Sequence, residues 1–226
     1  LLKDAILPLD DEPGHARRPK KMRALERFNA ILDATAYLLA ERPDEDISLA
    51  QIAEKAGIPL ASLYHFFPNR NAAFVALAQR YHKTIRGNSN SAQIPRPATW
   101  QGYISERQKI GARFLNDNPA ALRLFMGAGV SVDVRNTDLA GNLELAQTRT
   151  KYLRSVFEMP TLRDLEEKVA VSIALTDGIW ALSYSLHKHI TDAFLQESIT
   201  TTILYLRRYL PEVLEPLPPG ATEDVL

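Results

Sequence analysis

Residues 48–68, SLAQIAEKAGIPLASLYHFFP, decide the fold. Ser48 precedes an apolar periodic run and Gln51 follows three residues later, the pattern of a capping box at a helix start. Leu49, Ile52 and Ala53 then recur at the spacing of one helical face. Gly57 falls where the chain must reverse, a place that favours the residue able to take positive φ. Ile58 plugs the turn into the core, and Pro59 suits the first position of a second helix, where its missing N–H goes unused. Leu63, Phe66 and Phe67 give that helix a buried side, whereas Leu60, Ala61, Ser62, Tyr64 and His65 fall on the exposed one. Two short helices joined by a glycine-centred turn, the second presenting small, hydroxyl-bearing and aromatic residues, predict a helix-turn-helix of the kind that docks on DNA.

Outward from this stretch the apolar period is helical nearly everywhere. Phe28, Ile31, Leu32, Thr35, Leu38 and Leu39 make one stripe, and Leu195, Ile199, Ile203, Leu206 and Leu210 another. Prolines punctuate the intervals between such stripes, and no run alternates with period two. The expected class is all-α, with about nine helices near 21–41, 48–55, 59–66, 70–86, 98–116, 119–127, 137–158, 161–188 and 191–209. The polar, proline-containing segment GNSNSAQIPRP, residues 87–97, reads as a loop. The expected organisation is therefore a flexible arm over 1–20, a DNA-binding domain with its connecting helix over 21–86, a larger helical body over 87–210 and a flexible tail over 211–226.

The chain of 226 residues has a net charge of zero, which argues against indiscriminate nucleic-acid binding. The charge is nevertheless uneven. Residues 15–86 carry twelve Lys and Arg against seven acids, while residues 87–226 carry fourteen against sixteen. A basic segment on a mildly acidic body is the footprint of a localised DNA-binding domain. The absence of cysteine excludes disulfides and thiolate metal sites. No run approaches the roughly 18 consecutive apolar residues of a membrane helix, and no signal-peptide pattern opens the chain, so a cytoplasmic protein with no membrane partner is expected.

The segment resembles the DNA-binding domain of the TetR family of bacterial transcriptional regulators. The resemblance rests on Ile52-Ala53, on Ala56-Gly57-Ile58, on Ala61-Ser62-Leu63-Tyr64-His65-Phe66 and on Pro68-Asn69-Arg70, and extends over roughly residues 22–80. Ala61 departs from a position where glycine is common, and Asn71 from one where an acid is common. The resemblance implies that Ser48, Ser62, Tyr64, His65 and Arg70 hold phosphates, with Pro59, Leu60 and Ala61 nearest the base edges. None of those three makes the bidentate contacts that read guanine or adenine, so readout should lean on thymine methyls, water and DNA shape. Arg17, Arg18, Lys20 and Lys21, with Arg23, precede or open the first helix and suit an arm along the DNA backbone.

The body lacks a diagnostic motif. Its last two helices are apolar on more than one face, through Val169, Ile173, Ile179, Trp180 and Tyr184 in one and Phe194, Tyr205 and Tyr209 in the other. The resemblance implies a homodimer built on these helices, two-fold symmetry matching a palindromic double-stranded operator. Trp100, Tyr103, Phe125, Met126, Trp180 and Tyr184 are candidates to line a site for a small, largely apolar effector, with Arg107 as a polar partner and Asp177 and His187 as further ones. His187 and His189 sit two apart on a helix and point to different faces, and His82 has no evident partner, so no metal site is expected. With no cofactor motif or catalytic signature either, the reading is a ligand-responsive repressor rather than an enzyme. The alternative is a ligand-independent or protein-regulated architectural DNA binder.

Overall fold

A computed structural model describes residues 16–19, 21–42, 45–89 and 95–218. Among them are nine α-helices and no strand: α1 (Met22–Glu41), α2 (Leu49–Ala56), α3 (Leu60–Phe66), α4 (Arg70–Ser89), α5 (Trp100–Asp117), α6 (Pro119–Met126), α7 (Val132–Val156), α8 (Leu165–His187) and α9 (Asp192–Leu206). The largest departure from the sequence reading is the start of α7, five residues earlier than the expected 137. Ser131 explains it: its hydroxyl accepts from the Val134 amide at 3.2 Å, an N-cap, and Asp133 follows in the first turn.

The helices form two compact units. One takes its described residues from 1–82 and 118–140, the other from 83–117 and 141–226. The expected single boundary near 87–97 is thus not where the units divide, because α6 and the start of α7 fold with the N-terminal helices. The reason lies in α6, whose Leu122, Leu124 and Phe125 are all buried and which packs on α1.

In the first unit Phe28 of α1 is the hub. Its ring stacks on Phe67 with centroids 4.8 Å apart and meets Phe66 edge-on at 6.2 Å. Ile31, Leu32 and Leu39 of α1, Ile52 of α2, Leu63 of α3 and Leu77 of α4 complete a core closed to water. His82, which the sequence left without a partner, is buried here against Asp138 of α7, with Nε2 3.1 Å from Oδ1. Arg135 donates to the other oxygen of that carboxylate at 3.2 Å, and the Phe125 ring lies 4.6 Å from the imidazole.

The second unit is built on α8, which packs along α9, and on α5, which also packs on α9. A polar ladder runs through this packing. Gln108 donates to the Thr202 hydroxyl at 2.9 Å and accepts from Ser198 at 2.6 Å, and Ser198 in turn accepts from the Trp180 indole at 3.0 Å. Gly111 gives that indole room, since a Cβ there would stand 3.2 Å from Trp180 Cη2. In length and mean hydropathy, 1.4, α8 could cross a bilayer on composition alone. Its buried side here meets the other helices, while Val171, Leu182 and Leu186 are exposed.

The expected flexible tail needs correction over 211–218; residues 219–226 lie outside the described ones. The Trp100 indole donates to the Pro211 carbonyl at 2.9 Å, Leu214 is buried, and Phe157 and Pro216 form an isolated antiparallel bridge. Around that bridge Glu158 N–H donates to the Glu215 carbonyl and Leu217 N–H to the Val156 carbonyl, each at 2.8 Å. Prolines that read as a sign of disorder instead suit an extended strap with few ladder bonds to make. Truncation before Pro211 should destabilise the protein by about 3 kcal/mol or more, combining one buried leucine with an orphaned indole N–H. An unchanged urea midpoint would show that the strap contributes nothing.

Candidate nucleic-acid interface

The helix-turn-helix is held by local bonds that the sequence announces. Ser48 Oγ accepts from the Gln51 amide at 3.3 Å and Gln51 Oε1 accepts from the Ser48 amide at 2.8 Å, a complete capping box. Gly57 adopts φ 66° and ψ 32°, and the Ile58 amide reaches back to the Ala53 carbonyl at 3.1 Å. A side chain at this left-handed position costs on the order of 1–2 kcal/mol. Pro59 is the N-cap residue of α3 rather than its first helical residue. Ile58 is half-buried, and so is Leu49; the inward side of α2 is Ile52 and Ala53.

On α3, Leu63 and Phe66 are buried while Leu60, Ala61, Tyr64 and His65 are exposed and Ser62 is half-buried. Tyr64 leaves 51% of its surface open, on the side of the helix away from buried Leu63 and Phe66. The outer face therefore assembles the hydroxyl, phenol and imidazole that the sequence placed there. Ser48 is also exposed, at the N-terminal end of α2.

Arg70 is arranged differently from the expectation. Its guanidinium is paired with the Asp46 carboxylate and donates to the Ile47 carbonyl at 3.3 Å, so it fastens the loop that delivers Ser48. Asn71, which stands where an acid would favour the helix dipole at the start of α4, hydrogen-bonds Asp133 and Ser131, and the cap of α4 comes from Asn69, which accepts from the Ala72 amide at 2.8 Å. In the arm, the Arg17 amide donates to the Phe66 carbonyl at 2.8 Å, so this part of the expected flexible segment is fastened to the end of α3. The side chains of Arg17, Arg18 and Lys21 are exposed. Lys20 and residues 1–15 lie outside the described residues.

Arg123 of α6 is a residue that sequence reading missed. It donates from Nη1 to the Arg42 carbonyl at 2.6 Å and to Leu39 at 3.3 Å, and from Nη2 to Glu45 at 2.7 Å. One guanidinium thus ties the end of α1 to the loop leading into α2. The pattern LRLFM around it reads only as a buried helix, and nothing local marks its long-range targets.

The seven effector candidates divide between the two units. Phe125 and Met126 are buried in the first unit on α6, and the other five belong to the second. Trp100 and Trp180 are buried with their indole N–H groups spent on Pro211 and Ser198. Tyr184 is half-buried with the Lys188 ammonium 5.8 Å from its ring. Tyr103 and Arg107 are buried together on α5, whereas His187 is exposed beside Phe194.

A helix-turn-helix with an exposed second helix, carried on an all-helical chain, defines a DNA-binding transcription regulator. Residues 31–77 match the model of the bacterial regulatory proteins of the tetR family. The nucleoid occlusion factor SlmA of Haemophilus influenzae is 26% identical over 125 residues, 55% of this chain and 55% of that protein, so the chain spans about half the length of the curated relative it matches. A TetR-family transcriptional regulator from Streptomyces coelicolor superposes with a TM-score of 0.59 at 22% identity, covering 83% of this chain and 99% of the other. The multidrug binding protein EbrR, solved complexed with ethidium, gives 0.56 at 16% identity over 78% and 98%. Residues 31–77 are thus similar to the regulatory proteins of the tetR family, and the superpositions show that the fold is shared over most of the chain.

The two arginine contacts differ in worth. Asp46→Ala should change stability by about 1 kcal/mol or less, because the pair is solvent-exposed. Arg123→Met should cost about 2–4 kcal/mol, since three carbonyls lose a charged donor at once. Equal midpoints for the two variants in urea would contradict this ranking.

Proposed function

We propose that the protein is a ligand-responsive repressor that binds a palindromic double-stranded operator as a homodimer in the cytoplasm. The exposed face of α3, entered through the left-handed turn at Gly57, carries this reading. Ser48, Ser62, Tyr64 and His65 supply phosphate contacts, joined by the arm residues Arg17, Arg18, Lys20 and Lys21. Pro59, Leu60 and Ala61 approach the base edges. Arg70 contributes either by leaving Asp46 for a phosphate or by holding the loop before Ser48, and both roles serve the same face.

Val171, Leu182 and Leu186 on α8 and Leu204 on α9 support the homodimer, because four exposed large apolar side chains on two packed helices want a partner surface. An effector acts by favouring the state that cannot engage the operator, each tenfold loss of affinity requiring about 1.4 kcal/mol of preference. The protein works by binding, with no chemical step assigned to it. The likeness to a nucleoid occlusion factor favours a second reading, a DNA binder regulated by another protein rather than by a small molecule.

A gel shift on the DNA upstream of the protein's own gene tests the main reading. Tyr64→Phe should weaken binding about 5- to 10-fold by removing one hydrogen bond, and Arg17→Ala should lower the log–log salt slope by about one. Leu182→Glu with Leu186→Glu should yield a monomer by sedimentation. Undiminished DNA affinity in all three variants would overturn the proposal.

A further inference from the structure

The loop between α7 and α8 and the strap over 211–218 frame an open cleft of about 390 Å³ within the second unit. That volume falls in the range of small-molecule sites, roughly 300–1,000 Å³. The floor is apolar: Phe157 is fully buried, while Met159, Pro160, Leu162 and Leu217 are half-buried and so keep surface open to the cleft. Arg154, Glu158 and Arg163 stand on the rim, all exposed. None of the seven effector candidates read from the sequence lines this cleft.

Hydrogen bonds between distant residues hold the walls in place. The bridge between Phe157 and Pro216 joins loop to strap, and Arg96 donates to the Val156 carbonyl at 3.0 Å and to the Leu217 carbonyl. Inside the loop the Leu162 amide donates to the Pro160 carbonyl at 2.8 Å, and Arg154 Nη2 donates to the Leu162 carbonyl at 3.3 Å. That single bond leaves Arg154 with donors to spare. Among the described residues the Arg163 side chain makes no hydrogen bond or ion pair, and neither does the Glu158 carboxylate. Two guanidinium groups and one acid thus border apolar surface left open in a concave site, the kind of patch that marks a binding groove.

We propose that this cleft binds an amphiphilic carboxylate, its chain or ring lying on Met159, Leu162 and Leu217 and its anionic end held by Arg163 with Arg154. A guanidinium fork matches a carboxylate through two parallel N–H···O bonds, and the charge on both partners strengthens them. A neutral amphiphile would fill the floor and leave the rim donors to water. An ammonium would gain Glu158 and meet two cations. Binding at this cleft is separate from operator recognition, because every residue it uses lies between 154 and 217 in the second unit.

Calorimetry on the full chain tests this with matched probes: octanoate and 4-phenylbutyrate against octanamide and 4-phenylbutyramide, with octylammonium as the cation. At least one acid should bind about tenfold more tightly than its amide. Arg163→Gln should remove most of that advantage while leaving the amide unchanged, and Glu158→Gln should tighten the acid. Both side chains are exposed, so neither substitution disturbs the core. The opposite signs of the two variants separate a charge-reading site from a change in folding, which would weaken both. Failure of both acids to bind, equal binding of acid and amide, or tighter binding of octylammonium overturns the inference. So does an acid affinity that Arg163→Gln leaves unaltered, since the acid then sits elsewhere.

Discussion

A helix of seven residues cannot hold itself together in water, and α3 is that short. Everything the protein presents to DNA is consequently borrowed from the packing beneath it. Leu63, Phe66 and Phe67 anchor α3 in a core centred on Phe28, whose ring touches two of them directly. Burial of three large side chains contributes several kcal/mol, far more than the intrinsic preference of so short a segment. The exposed phenol and imidazole of Tyr64 and His65 are positioned because their neighbours in sequence are immobilised. Gly57 and the capping box then fix where α3 begins, and Arg17 closes its far end through the Phe66 carbonyl.

The second unit meets a different problem: how to bury polar groups in a helical core. Its solution is to pair them across helices, through Gln108, Ser198, Thr202 and Trp180. Such a network fixes the register of α5, α8 and α9 more narrowly than apolar contacts can, because each partner sits at one position only.

Much of this organisation was legible in the chain. All nine helices follow from the periodic apolar residues, and the cap at Ser48, the turn at Gly57 and the two sides of α3 follow from local residue chemistry. What local reading missed has a common cause, in contacts between residues far apart in sequence. The pairing of His82 with Asp138, 56 positions away, leaves no periodic trace. Neither does the reach of Arg123 to Arg42, nor the bond from Trp100 to Pro211 across 111 positions. The strap over 211–218 was misread for a related reason: prolines and charge describe a segment's own preferences and say nothing of the groove that receives it. The effector candidates fall in both units because aromatic residues at helical spacing mark any core, and Phe125 and Met126 belong to the first.

Because α6 contributes Arg123 to the unit that carries the helix-turn-helix, that unit is discontinuous in sequence. This sets a limit on modular exchange. A hybrid made by grafting residues 16–89 onto a foreign body would carry the whole helix-turn-helix yet leave the guanidinium that ties α1 to its following loop behind. The host would have to supply an arginine of its own in register, or the graft would need 118–140 spliced in as a second segment. The unit of inheritance for this helix-turn-helix is therefore a pair of separated segments, and recombination that joins them at one crossover breaks it.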